Sequence, residues 1–341
     1  MKMKTKLTRI LLIGISVVAI ALSFGYYALF HASNINYSGS EAGWYLVKST
    51  TAATELFHSN NLSFKSAHTW KIACAVKRFK QIKPGRYHLK DGMSNSQMIA
   101  EFRKGGMSVT SVRIDDTETL EELASKLGAS LMHDSIYFMG AFQSDSLLLS
   151  MDIAKEQLAG VIRPNTYEFY WTMDAASFLS KMKSETDAMW NDSRRKQAES
   201  IGLTPFETTI LASIVKAETA SRDEAPIIAG LYLNRLRIGM PLQSDPTTLF
   251  ERKKSAKRVY RSDLQAESPY NTYIHTGLPP GPINFPETSY IDAVLQATSH
   301  SYLYMCAQPG GSGKHNFAVR YSDHEENRKN YIEWLEKSGI H

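Results

Sequence analysis

Residues 204–220, TPFETTILASIVKAETA, decide how the chain is read, because they punctuate one helix at its start and set a carboxylate in line with its apolar residues. Thr204 fits the N-cap, Pro205 the first helical position and Glu207 the third, a capping box that fixes the register. Counted from there, Phe206, Ile210, Ile214 and Glu218 stand four apart and share one face. Two placements fit Glu218. At the helix end the stripe can drift toward solvent, where helical glutamates usually lie. Kept in line with the buried stripe, the carboxyl is partly desolvated and its pKa rises, which makes it a proton donor near neutral pH and suits a glycosidic general acid.

The segments that follow have their own punctuation. SRDEAPIIAGLYLNRLRIG, residues 221–239, reads as a second capped helix, with Ser221 and Glu224 at capping-box spacing and Gly239 as its stop. Glu224 is placed first as a cap and second as an active-site carboxylate. MPLQSDPTTLF (240–250) and SPYNTYIHTGLPPGPI (268–283) are loops rich in hydrogen-bonding groups and rings but poor in charge. Such loops suit a polyhydroxylated ligand, since sugars offer apolar faces for stacking and hydroxyls to hold. Taken singly, each also reads as a turn-rich linker. Upstream, residues 31–70 suggest a short strand and a helix. IKPGRYHLKDGMSNSQMIAEFRKGG (82–106) predicts a strand over 87–90 and a helix from Ser94 to the glycine pair Gly105 and Gly106. SVRIDD (111–116) is strand-like, and TETLEELASKLG (117–128) puts Leu120, Leu123, Ala124 and Leu127 on one helical face.

The chain of 341 residues allows about two domains. With 43% hydrophobic and 21% charged residues, most of it can bury a core. A net charge of +5 without an aromatic-plus-basic recognition motif argues against nucleic acid, while leaving a basic surface free to face an anionic polymer. Cys74 and Cys306 fit no metal-ligand or CxxC spacing, so neither a metal nor a cofactor is expected, and whether they pair is not legible. Residues 10–30, ILLIGISVVAIALSFGYYALF, carry no charge and reach the length of about 20 residues that a bilayer requires. Lys2, Lys4, Lys6 and Arg9 precede them, so the positive-inside rule leaves the N-terminus in the cytoplasm and the rest outside. A cleaved signal peptide is the alternative, but the run exceeds an ordinary apolar region of that kind and no clean A-x-A-like site follows.

From about residue 81 onward, LASIVKAETA, LYLNRLRIGMPLQSDPTTLF, SPYNTYIHTGLPPGPI, SYLYM and GKHNF occur in an order and spacing that resembles the endolytic murein transglycosylases of the YceG-like family. KPGRYHL with its following helix is similar to that family's LysM-like subdomain, and GVIRPNTYEF resembles its EGYLFPDTYEF segment. The resemblance implies an α+β protein with a basic tail (1–9), a transmembrane helix (10–30), a membrane-proximal region (31–155) holding a small LysM-like α/β subdomain at about 81–130, and a larger mixed α/β catalytic domain (156–341). It implies a single-pass protein of the bacterial cytoplasmic membrane that cuts peptidoglycan glycan strands internally at the MurNAc–GlcNAc bond. The products are 1,6-anhydroMurNAc ends, the role is limiting nascent strand length, and peptidoglycan synthases are candidate partners.

Matched residue by residue, the family's catalytic glutamate falls on Glu218, the last acidic residue of its IVEKET motif. Gln243, Ser244, Asp245, Tyr270, Asn271, Thr272 and Tyr273 are the substrate-binding residues so implied, with Gln243, Tyr270, Asn271 and Tyr273 as neutral groups to steady the transition state. The chain departs from the pattern at Lys216, where the motif has its earlier glutamate, and at Ala159, where it has the Glu of an EG pair. The stretch ERKKSAKRVYR (251–261) is more basic than expected, and reads either as a solvated loop or as a rim facing stem-peptide carboxylates. Two other classes stay open: a lysozyme-like muramidase with Asp245 or Glu224 as its second acid, and a non-catalytic peptidoglycan-binding scaffold.

Overall fold

The computed structural model describes residues 2–38, 44–58, 62–105, 107–115, 117–250 and 260–339. The chain forms two compact units: residues 1–111 with 130–132 and 168–173, and the remainder.

The first unit opens with α1 (Lys2–Phe30), whose large apolar side chains stand exposed from Leu7 to Tyr27. Its last turn is different. Phe30 is buried in a core with Ile35, Trp70 and Phe102, Leu29 O accepts from Asn95 Nδ2 at 2.7 Å, and Lys77 Nζ lies 5.1 Å over the Phe30 ring. The chain then runs through β1 (Ile35–Tyr37), β2 (Trp44–Val47), β3 (Thr51–Ala52), a 3-10 turn (Ala53–His58), β4 (Leu62–Phe64), α2 (Ala67–Val76), β5 (Gln81–Ile82), β6 (Gly85–His88), α3 (Asn95–Arg103) and β7 (Val109–Arg113). The strands pair antiparallel as β1–β4, β2–β6 and β3–β5. The strand predicted over 87–90 is β6, two residues earlier, because its partner β2 takes it from Gly85 opposite Val47 to His88 opposite Trp44. Ser94 and Gln97 form a capping box at the start of α3, the helix expected there.

The second unit holds α4 (Leu120–Ser130), α5 (Ser135–Phe142), α6 (Asp145–Ser150), a 3-10 turn (Lys155–Gln157) leading into α7 (Leu158–Val161), β8 (Thr166–Tyr170), α8 (Ala175–Met189), α9 (Asp192–Ser200), α10 (Pro205–Glu218), α11 (Ala225–Arg237), α12 (Asp245–Leu249), α13 (Arg261–Leu264), α14 (Thr288–Leu295), the antiparallel hairpin β9 (Tyr304–Ala307) and β10 (His315–Ala318), and α15 (Tyr321–Lys337). The division between units falls within β7 and β8 and again at the end of α4. Residues 112–129 and 133–155, grouped by sequence with the membrane-proximal region, belong to this larger unit. Aromatic packing ties α5 into it, with Phe142 lying 6.1 Å from Phe178 of α8, ring to ring.

Helices α10, α11 and α14 build the core of the second unit, bringing Leu211, Ile214 and Val215 against Ile228, Leu231, Ile291 and Val294. The capping box of Thr204 and Glu207 is present, with Pro205 at the first position. From Thr208 to Val215 every residue of α10 is buried, so the stripe read from sequence is one side of a helix enclosed all round. Its polar groups are paired inward: Ser213 Oγ accepts from Ile283 N at 3.0 Å, and Ser213 O accepts from Asn284 Nδ2 at 2.8 Å. Lys216, a departure from the family motif, donates to Phe285 O at 2.8 Å and pairs with Glu287 at 3.1 Å. It ties α10 to segment 283–287.

Candidate active site

Helix α10 stops at Glu218 because Thr219 turns extended (φ −145°) while its N–H still bonds to Val215 O. The last side chain of the helix therefore projects from the core into a cleft of about 250 Å3, walled by α11, by the loop before α12, by Tyr273 and by the β9–β10 hairpin. Two hydroxyls meet it there. Tyr232 Oη donates to Glu218 Oε1 at 2.8 Å, and Ser244 Oγ donates to the same oxygen at 2.5 Å. Among the described residues no protein group bonds Oε2, which is not a buried orphan either. One oxygen is thus held and the other is open.

Burial pushes the Glu218 carboxyl above its ordinary pKa; the hydrogen bonds from Ser244 and Tyr232 pull down, the charge of Asp245 pushes up and that of His315 pulls down, and the net direction is up. The carbonyl end of α10 adds to this, since the negative pole of a helix disfavours an anion. Tyr232 is itself raised well above a free phenol by burial and by the neighbouring carboxylate, so it stays a donor.

The support for these groups is a buried polar lattice. Ser244 is buried, its N–H donates to Thr272 Oγ1 at 3.0 Å, and Thr247 Oγ1 lies 2.9 Å from Thr272 Oγ1, which aims the Ser244 hydroxyl at Glu218. Gln243 takes a left-handed backbone (φ 50°) while its N–H bonds to Thr272 O at 3.0 Å. For a residue other than glycine that is strain, stored where the lattice enforces it. Arg235 of α11 is buried and donates to Leu303 O (2.7 Å), Leu242 O (2.7 Å) and Pro241 O (3.2 Å), fastening the loop and β9 to the helix. Burial lowers its pKa.

The residues expected from sequence separate into two groups. Gln243, Asp245 and Tyr273 line the cleft with Glu218, with Tyr273 Oη donating to Asp245 Oδ1 at 2.6 Å, while Ser244 reaches the carboxyl from behind. Asn271 and Thr272 are buried, and they brace the loop instead of lining the cleft. Asn271 Nδ2 donates to Ala266 O at 2.8 Å and its Oδ1 accepts from Tyr273 N at 3.0 Å. Tyr270 packs on Phe250, rings 4.6 Å apart, and is likewise not a lining residue. Residues 251–259 of the basic stretch lie outside the described residues.

The capping reading of Glu224 is corrected. Helix α11 begins at Ala225, three residues later than the Ser221 box requires, and Glu224 sits before it in a helical conformation with no side-chain bond to the helix end. Its buried carboxylate instead accepts from His315, backbone N–H at 2.9 Å and ring Nδ1 at 3.2 Å. Tyr232, Arg235 and His315 were missed as site residues. A tyrosine and an arginine three apart in a leucine-rich stretch, LYLNRL, was the available signal for the first two. His315 lay within GKHNF, one of the segments that carry the resemblance, but no role followed from that segment alone.

Residues 21–330 match the YceG-like family. The chain belongs to that family. Among relatives of this YceG-like chain, a Streptococcus pneumoniae protein named endolytic murein transglycosylase is 26% identical over 287 residues, 75% of this chain and 52% of the relative. The chain spans about half the length of the S. pneumoniae relatives it matches. A Bacillus subtilis protein of the same name is 24% identical over 299 residues, 83% of this chain and 82% of the relative. The crystal structure of a yceG-like protein from Listeria monocytogenes superposes with a TM-score of 0.58 at 24% identity, covering 77% of this chain and 90% of that one, and shares the fold.

Proposed function

We propose that this YceG-like chain is an endolytic lytic transglycosylase that cuts peptidoglycan glycan strands between MurNAc and GlcNAc. The observation that carries the reading is the asymmetry of Glu218: Oε1 anchored by two hydroxyls, Oε2 open to the cleft, and a pKa raised by burial. A carboxyl held this way keeps a proton on the open oxygen, hands it to the departing glycosidic oxygen, and as carboxylate takes the proton of the muramic acid C6 hydroxyl. That hydroxyl attacks C1 and closes the 1,6-anhydro ring without water. One carboxyl suffices because the nucleophile is tethered to the reacting carbon, an effective-molarity advantage of up to about 7–11 kcal/mol. The names of the relatives support the same chemistry.

Around this centre we place the remainder of the protein as follows. α1 anchors the chain in the cytoplasmic membrane with the basic N-terminus inside, the second unit works outside on strands near the membrane and limits their length, the small α/β elements of the first unit act as a LysM-like glycan contact, and peptidoglycan synthases are candidate partners. Asp245 favours a second reading, hydrolysis, because it is a carboxylate in the same cleft. The full-length chain in detergent, given purified sacculi, separates the readings by product mass. Transglycosylation yields ends one water lighter than the reducing ends of hydrolysis, and a scaffold yields no new ends. Reducing ends alone would move the assignment to a muramidase with Asp245 in the second role.

A further inference from the structure

We infer that His315 is a substrate-contacting residue of the Glu218 cleft, offering Nε2 as a hydrogen-bond acceptor to a donor group of the sugar, and that Glu224 is the positioning residue that sets this polarity. The inference rests on the glycan-cleaving reading above. Its starting point is an expensive arrangement. Glu224 is buried, its side chain caps no helix, and the bonding partners of its carboxylate among the described residues are two N–H groups of a single residue, His315. Burying a carboxylate costs free energy that a neutral side chain would spare if stapling β10 to the start of α11 were the whole task.

What a carboxylate does that a neutral amide does not is accept at both oxygens. Facing Glu224 Oε2 at 3.2 Å, Nδ1 must carry the ring hydrogen, so in the neutral imidazole Nε2 is the acceptor. Among the described residues no protein group takes Nε2, while the ring lines the cleft that Glu218 enters. The other polar groups there are already directed. The Tyr232 and Ser244 hydroxyls donate to Glu218, the Tyr273 hydroxyl donates to Asp245, Gln243 Oε1 faces Arg235 Nη1 at 3.5 Å, and Arg235 can only donate. A sugar entering the cleft brings hydroxyl and acetamido N–H donors, and His315 Nε2 is a neutral acceptor fixed in place for one of them.

The test uses Glu224→Gln, because its amide can accept from the His315 backbone N–H through oxygen while donating to Nδ1 through nitrogen. The staple is kept and Nε2 changes from acceptor to donor. With histidine 15N-labelled in the full-length chain in detergent, and the His315 signals identified by their loss in His315→Gln, the parent should show the Nδ1–H tautomer and Glu224→Gln the Nε2–H tautomer. Affinity for soluble uncrosslinked peptidoglycan strands is then measured in a Glu218→Gln background, where no strand is cut. Glu224→Gln and His315→Ala should each weaken binding roughly tenfold, the loss of about one hydrogen bond. His315→Gln, whose carbonyl can stand in for Nε2, should retain most of it. An unaltered tautomer in Glu224→Gln removes the positioning role, and an inverted tautomer with unaltered affinity, or parental affinity in His315→Ala, removes the contact. If the Glu218→Gln chain binds no strands at all, the glycan reading fails together with this one; if it binds and none of the variants differ, this inference alone fails.

Discussion

At Glu218 the two oxygens have different surroundings, Oε1 bonded to two hydroxyls and Oε2 to no group among the described residues, and the consequences can be measured separately. Glu218→Gln keeps an oxygen acceptor for Tyr232 and Ser244 but places an amide where Oε2 stood, so the fold should persist and cleavage should fall by about a hundred- to ten-thousand-fold. The same variant has a stability signature. A carboxyl whose folded pKa is raised binds its proton more tightly in the native state, so its contribution is fully present below the ordinary carboxyl pKa and is lost as pH rises through the folded value. Glu218→Gln should therefore melt at or above the parent in mildly alkaline buffer, with the gap closing toward acid; a parent that gained on the variant as pH rose would mean the carboxyl is not desolvated. Ser244→Ala removes a donor that favours the ionised form, so the alkaline limb of the activity profile should move to higher pH, with Tyr232→Phe acting in the same direction. A limb that stays put or moves to lower pH would exclude Glu218 as the group that titrates. Spacing made Glu218 legible because it shares a stripe with Ile210 and Ile214; His315 was not, since its place depends on a hairpin that returns to α11 from 91 residues further along the chain.

Among the elements, capping chemistry was the readable layer and docking the unreadable one. Thr204, Pro205 and Glu207 announced α10, and the helix start read at Ser94 is made by a capping box with Gln97, because caps are made within a few residues of chain. The same pattern misled at Ser221, where residues 221–224 form a turn (Glu224 N to Ser221 O, 3.2 Å) and the helix waits for Ala225. How α11 meets the segment after α14 left no local trace. Thr298 N bonds to Pro226 O at 3.0 Å, His300 Nε2 lies 2.9 Å from Ile227 O, and Asn234 Nδ2 donates to His300 O at 2.8 Å. The contact closes at Gly230, where a Cβ would meet Thr298 O at 2.4 Å and His300 Nε2 at 2.8 Å. Gly230→Ala should thus cost about 1–3 kcal/mol by overpacking. Because this segment leads into β9, which walls the cleft, activity should fall further than the lost stability alone accounts for. Parental melting and turnover together would show that residues 298–300 yield freely.

For the molecule as a whole, the question with the largest consequence is whether α1 stays attached to it. From Lys6 to Phe30 the helix runs 25 residues, about 37 Å at 1.5 Å per residue against a hydrocarbon core of about 30 Å, and an 18-residue window within it has a mean hydropathy of 2.3. The excess is accounted for at the C-terminal end, where Phe30 lies in the core of the first unit and Leu29 O is bonded to Asn95. The final turn is therefore a component of the folded unit, and the apolar side chains before it are exposed all round, as a membrane-spanning helix would have them. A signal peptide is removed at an accessible small-residue site, and scission here would cut beside a packed phenylalanine. The full chain should accordingly be recovered with its N-terminus intact, in membranes that withstand alkaline carbonate. Phe30→Ala should leave it in the membrane but destabilise the first unit by about 3–5 kcal/mol, as large-to-small core changes do. Shortening the chain to residue 31 should release it and carry the same loss of stability. A mature protein that begins beyond residue 30, with the first unit melting as in the full chain, would show that α1 is a leader and that Phe30 is dispensable to the core.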